Sequence, residues 1–450
     1  MRATRIVGVT LLLAAIASGA DGQPRELDAL RPQELARVWD VEHVSPPLPP
    51  LLDHRELVRR LEEFVQSSSG LLRMEKAGES IEGRTIYHVT VGKGPYHVLL
   101  WSQMHGDEPT ATAALFDVFD YLRRRQREPA VQRLLGTLTL HVIPMLNPDG
   151  AERFQRRNAQ GIDINRDALR LQTPEGKILK DIRDRWRPGV GFNLHNQNWR
   201  TSVGDPPKPA SISLLSVAFD AARSDSEGRQ LTKKLCAVIR DALEPFAPGQ
   251  IGRYDDEFEV RAFGDNVTLW GTPVVLIETG AWPSAQPEAA LVRLNFIAIL
   301  SALDSLASKS VERADPQRYE SLPMNQSRAF YILVRNATVI NGAGVPPFIA
   351  DVGVIANRRV RLAPGSRDLQ VSLVIDDIGD LRTSGGLTTI DGTGMTIVPI
   401  EEDLEVGRVV DLPEWKSKRS ASIAVGESAR FVLLKPAQEP GKYVVEQVIR

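Results

Sequence analysis

The chain has 450 residues, 42% hydrophobic and 25% charged, enough at ~150 residues each for about two to three domains with sizeable cores. Its 55 Lys and Arg against 57 Asp and Glu leave a formal charge of −2, so electrostatics gives no reason to expect nucleic acid or an anionic membrane as partner. A single cysteine, Cys236, excludes a disulfide framework within the chain.

Arg2 and Arg5, the apolar run Ile6 to Ala17 and the small residues Ser18-Gly19-Ala20 read as a signal peptide over residues 1–20. The mature chain is therefore expected to be exported, periplasmic or secreted, with no membrane span. Residues 21–50 read as an N-terminal arm, in which Pro46-Pro47-Leu48-Pro49-Pro50 marks an extended linker or wrapping stretch. From 51 to 310, apolar strands alternate with helical segments. Leu57–Val65 is helical, Leu71 to Lys93 forms short strands around Gly78–Arg84, and Tyr96–Trp101 is a buried strand. A helix is expected from Thr110 to about Arg127, then a strand over Thr137–Pro144 ending in the turn Asn147-Pro148-Asp149-Gly150. His141 lies in the middle of that strand and reads as structural. Gly191–Asn196 and Thr272–Gly280 are further strands, each ending near a candidate ligand or acid, and Leu231–Leu243 and Pro287–Leu306 are helices. Cys236, within the first of these helices, reads as a small buried hydrophobe.

This alternation predicts an α/β fold, a mixed and mostly parallel sheet flanked by helices. Residues 311–328 loosen in composition and read as a linker. Residues 329–450 change to short alternating strands separated by Gly, Pro, Asn and Asp, an all-β accessory domain.

His105 and Glu108 sit on the turn leaving the Tyr96–Trp101 strand, where ligands collect in open α/β sheets. Alone, an HxxE pair also fits a capping or core role. His195, 87 positions after Glu108, completes a two-histidine, one-carboxylate set at the end of another strand. Three protein donors with a fourth position left for water is how catalytic zinc is held. Glu278 ends a run of aliphatic residues, so its carboxyl is expected to be partly desolvated and suited to carrying a proton. Arg156 and Arg166 bracket a polar loop. One guanidinium can steady an oxyanion and another can clamp a carboxylate, although arginines in polar loops are also commonly solvated surface.

Taken together, Gly78–Arg84, His105-Gly106-Asp107-Glu108, Asn147-Pro148-Asp149-Gly150, the run Arg156 to Arg166 (Arg-x-Asn-x-x-Gly-x-Asp-x-Asn-Arg), Asn193-Leu194-His195 and Ile277-Glu278 resemble the zinc carboxypeptidases, the carboxypeptidase A-like metallopeptidases. The pieces recur in that family's order across residues 51–310. The resemblance implies a catalytic domain there, with one zinc ion on His105, Glu108 and His195. It implies Glu278 as general base and then acid, Arg156 as carbonyl polariser, and Asn165 and Arg166 as holders of a substrate's terminal carboxylate. Asp163 would orient a zinc histidine. Tyr254 is the candidate for the tyrosine that closes over substrate, and Arg261 for a further anion contact. Asp167 follows Arg166 where the family has asparagine, which is expected either to weaken binding of an anionic terminus or to pair with a basic group.

The accessory domain more weakly resembles the strands preceding the barrel in amidohydrolase-type enzymes, through Tyr331–Gly344, Ile378–Leu381 and Ile390–Pro399. No histidine follows His195, so that superfamily's metal chemistry is absent and a packing or partner-contact role is expected. The expected activity is an exported metallocarboxypeptidase acting on peptides with a free C-terminus. A zinc amidohydrolase on cell-wall peptides or N-acyl amino acids is the alternative, and an inactive binding protein a third reading.

Overall fold

The computed structural model describes residues 29–46, 52–283, 287–341, 345–363, 366–401, 404–412 and 422–450. The expected signal peptide and Pro47–Pro50 of the arm lie outside the described residues. The first part of the chain carries β1 (Leu72–Glu79), β2 (Thr85–Gly92), β3 (Tyr96–Ser102), β4 (Leu138–Ile143), β5 (Val190–Asn196), β6 (Thr201–Val203), β7 (Lys208–Pro209), β8 (Ile212–Ser216), β9 (Ile251–Arg253) and β10 (Val274–Thr279). Eight of these form one sheet in the order β1-β2-β4-β3-β5-β10-β8-β9. The pairings β4–β3, β3–β5, β5–β10 and β8–β9 are parallel, whereas β1–β2, β2–β4 and β10–β8 are antiparallel. The sheet is mixed, as expected, with a parallel block at its centre.

Strand β3 shows why the sheet is covered on both faces. Side chains alternate across a strand, and Val98 and Leu100 enter one core while Leu99 and Trp101 enter another. The first core holds the helices Thr110–Arg124 and Pro287–Ala307, and the second takes Ile178, Leu179 and Ile182 from the helix Pro174–Trp186. Helix Glu288–Ala307 is long and apolar enough to cross a membrane, yet 78% of its most apolar window is buried inside the fold. It is packed as a core helix. Cys236 is fully buried in the same core, and burial pushes its thiol up, which makes it inert.

One expectation is corrected here, that of the linker, and the N-terminal arm gains detail. Within the arm, Pro32–Glu42 forms a helix, which buries Leu35, Ala36 and Trp39. The buried Asp117 holds it, accepting from Trp39 Nε1, Val44 N and Ser45 N, each at 2.7 Å. Residues 311–328 are not a loose linker. The hydroxyl of buried Tyr319 accepts from Ser216 N at 3.0 Å, and Asn325 bonds Gln197 and Ser213. Pairing β11 (Gln326–Ser327) with β6 then ties the segment to the first domain. Composition registers the polarity of this stretch but not the partners that await it.

The C-terminal region is β-rich, with β12 (Ala329–Val339), β13 (Phe348–Ala363), β14 (Ser366–Gly379), β15 (Gly385–Asp391), β16 (Thr396–Pro399), β17 (Val409–Asp411), β18 (Phe431–Pro436) and β19 (Lys442–Ile449). These join in the order β14-β13-β12-β16-β18-β19-β17, with β15 beside β12. The expected strand over Ser420–Ala424 is not observed in its described part, residues 422–424.

His141 proves to be the centre of a histidine ladder across the sheet. His97 Nδ1 lies 2.8 Å from His141 Nε2, His141 Nδ1 lies 3.0 Å from His88 Nε2 and His88 Nδ1 lies 2.9 Å from Glu75 Oε1, and Trp186 stacks on the His141 ring at 4.3 Å. Each ring–ring contact is satisfied when one nitrogen donates and the other accepts. Burial holds His88 below the ordinary histidine range and, with His88 and His97 beside it, brings His141 down to about 3. These groups bind protons more readily when unfolded. Stability is therefore full above the ordinary histidine pKa near ~6.5 and falls as pH drops towards 3, by up to ~1.4 kcal/mol per pH unit for His141. Thermal melts between pH 7 and 4 are expected to show this slope, and His141→Gln to flatten it.

Candidate active site

The candidate residues gather at the carboxyl ends of the parallel block. Strand β3 leads into the His105–Glu108 turn, β5 ends at His195–Asn196, and β10 places Glu278 directly beside His195 in register. Two motifs press the turn into shape. A Cβ on Gly106 would fall 2.0 Å from the carbonyl carbon of Gly150, so only glycine lets these two loops meet. Asn147 accepts from Gly150 N (2.9 Å), capping a short helix, and its amide donates to Met104 O (3.2 Å) and Arg156 O (3.3 Å). Buried Asp149 accepts from Ser80 Oγ, Glu82 N and Arg84, which explains the Gly78–Arg84 piece as the brace behind the site.

His105, Glu108 and His195 are all buried, with ligand atoms within 4.8 Å of one another. Glu108 Oε1 lies 2.7 Å from His105 Nδ1 and Oε2 lies 2.7 Å from His195 Nδ1; the two Nδ1 atoms are 3.1 Å apart. Nitrogen lone pairs and a carboxylate converging on one point suit a divalent cation, and this borderline donor set suits zinc. His105 Nε2 faces Asp163 Oδ1 at 3.1 Å, which fixes Nδ1 as the ligating nitrogen. Burial opposes charge on His105, but Glu108 and Asp163 on either side outweigh it and raise the imidazole to about 9. Burial would likewise raise Glu108, yet the two histidines hold it to about 2.

Glu278 Oε2 is buried and has no hydrogen-bond partner among the described residues. Burial first, and the Glu108 carboxylate second, push its carboxyl well above the usual range, as a proton carrier requires. Arg156 donates Nε to Asp163 Oδ2 (3.0 Å), and its Nη1 lies 3.3 Å from Glu108 Oε1, so the guanidinium overlooks the donor group.

Asn165, Arg166 and Tyr254 line the same pocket, about 290 Å³ in volume. Asn165 Oδ1 accepts from Phe263 N (2.8 Å), which leaves its NH₂ as the donor end. Tyr254 is 36% exposed at the rim. Two expectations fail. Arg261 does not line the pocket; it is exposed and held by Glu259 at 3.0–3.1 Å. Asp167 also stays out of it. Its buried carboxylate accepts from Gln172 N, Thr173 N and Thr173 Oγ, so it holds a turn.

The sequence reading assigned no role to several pocket residues. Asn193 sits two positions before His195 on the same strand face, its buried Oδ1 without a partner among the described residues. Asp255, Glu257 and Asp265 make one side of the pocket acidic, and burial raises Asp265 to about 7. The acidic run at 255–259 was the available signal.

A two-histidine, one-carboxylate group with a desolvated glutamate across from it, at the ends of parallel strands, is the donor arrangement that suits catalytic zinc. Residues 57–217 match the zinc carboxypeptidase family. The chain is 28% identical over 190 residues to probable carboxypeptidase 2 of Arthroderma benhamiae, covering 39% of this chain and 35% of that protein. It is 27% identical over 149 residues to carboxypeptidase SOL1 of Arabidopsis thaliana, covering 28% of this chain and 30% of that one. The chain thus spans about a third of the length of these curated relatives. A metallo-carboxypeptidase structure from Burkholderia cenocepacia aligns at a TM-score of 0.44 and 18% identity, over 56% of this chain and 69% of that one.

Proposed function

We propose that this chain is an exported metallocarboxypeptidase that releases the C-terminal residue of peptides. The observation carrying this reading is the single pocket that holds the His105–Glu108–His195 group, Glu278, Arg156 and the Asn165–Arg166 pair together. Export rests on the N-terminal Arg2–Ala20 pattern.

Zinc held by His105, Glu108 and His195 would supply a Lewis acid that brings water deprotonation to near neutral pH. Glu278, its carboxyl raised by burial, takes the proton from the attacking water and delivers it to the departing amine. Arg156 donates to the carbonyl oxygen as negative charge develops there. Asn165 and Arg166 receive the terminal carboxylate, and a fixed guanidinium fork reads that group well.

The acidic side of the pocket favours a cationic terminal side chain, because Asp255, Glu257 and Asp265 would face an anionic one with repulsion. Peptides ending in Lys or Arg are expected to exceed those ending in Glu by roughly tenfold or more in kcat/KM. The preference for Lys over Leu should grow as pH rises through about 7, where Asp265 ionises, and Asp265→Asn should remove that rise. C-terminal amidation should abolish cleavage; equal rates on free and amidated peptides would overturn the carboxylate clamp.

A further inference from the structure

Beyond the donor group lies a second and larger cavity, about 600 Å³, between the two domains. The residues that flank the donors line it: Asp107 and Pro109 on either side of Glu108, Asn196 after His195, and Gly280 two positions past Glu278. Asn196 lines both cavities, whereas Asn165 and Arg166 line only the first. The donors therefore stand where the two spaces meet. A peptide whose terminal residue fills the first, with its scissile bond at the donors, must leave through the second.

The far wall belongs to the accessory domain: Tyr331 of β12, Ala356 and Arg358 of β13, Leu369 of β14 and Leu387 of β15. This wall is anchored. Tyr331 meets Trp199 edge to face at 6.0 Å, Ala329 N donates to Arg200 O (3.1 Å), and Arg200 pairs with Asp376 (2.9 Å). A Cβ on Gly385 would fall 2.3 Å from Pro207 O, so β15 approaches the first domain as closely as glycine allows. Trp199, Trp282, Tyr331, Leu291 and Leu387 give the cavity its aromatic and aliphatic surface beside polar Asp107, Asn196 and Thr388, and Arg358 and Glu288 pair at 3.4 Å.

We propose that the β domain is a specificity element, whose Tyr331 and Leu387 form the wall of subsites for bulky apolar residues upstream of the scissile bond. This rests on the carboxypeptidase reading above. The enzyme should therefore prefer extended substrates. Amphipathic rings such as Tyr and Trp supply contact area at small entropic cost, which suits a wall that must accept varied side chains.

The test uses the full chain loaded with zinc and two substrates sharing one terminal Lys: an N-acyl dipeptide, and a hexapeptide carrying Phe at the upstream positions. A hexapeptide with Ser at those positions is the control. The wild type is expected to favour the Phe hexapeptide over the dipeptide by roughly tenfold in kcat/KM, mainly through KM. In Tyr331→Ala and, separately, Leu387→Ala, that ratio should collapse towards one. A ratio unchanged in both variants, or a wild type indifferent to length and to Phe while cleaving the dipeptide, overturns the proposal. Failure to cleave any of the peptides overturns the carboxypeptidase reading and this one with it.

Discussion

Glu278→Gln is expected to lower kcat by about 10²–10⁴-fold while the protein keeps its zinc and its fold. Glutamine preserves the shape of a side chain that no residue of the ligand set needs for its position. It removes a carboxyl that lines the pocket beside the donors without being one of them. Burial and Glu108 press Glu278 towards its neutral form. The measurement is steady-state kcat beside metal content by atomic absorption. Near-parental turnover with full zinc would remove Glu278 from the chemistry.

Removal of the metal should have the second-largest effect. His195→Ala takes away one of three donors and the 2.7 Å contact to Glu108 Oε2, which keeps its bond from Asn196 N at 3.1 Å. Zinc content is expected to fall to background and peptide cleavage with it. Asp163→Asn keeps all three ligands but weakens the hydrogen bond that orients His105, so zinc affinity should fall by a smaller factor, about 10–100-fold. Chelator competition separates the two. The same titration should lower Tm, because a ligand bound at ~1,000 times its Kd stabilises the folded state by ~4 kcal/mol. A Tm indifferent to zinc and chelator would argue against a preformed site.

Much of the site was legible in the order of its motifs. His105, Glu108 and His195 each follow an apolar strand, and strand ends in a parallel block necessarily lie side by side. The pieces without donors, Gly78–Arg84 and Asn147–Gly150, acquire their meaning only in three dimensions, where Asp149 ties the first to the second and Gly106 touches Gly150. Arg261 and Asp167 show the limit of reading charge along a chain. Each is engaged by neighbours close in sequence, Glu259 and the Gln172–Thr173 turn, and neither lines the pocket. Residues 311–328 show the same limit for composition, because Tyr319 and Asn325 find partners more than 100 positions away.

By itself the sequence determined the alternation of buried strands and helices, the donor types and the likeness of residues 57–217 to the zinc carboxypeptidases, since these depend on periodicity and on residue chemistry at fixed offsets. Tertiary structure alone decided the register that sets Glu278 beside His195, the histidine ladder through His141, and the cavity shared with the β domain. The physical reason is that desolvation and hydrogen-bond pairing belong to neighbours in space, and those are fixed only when distant strands pack together.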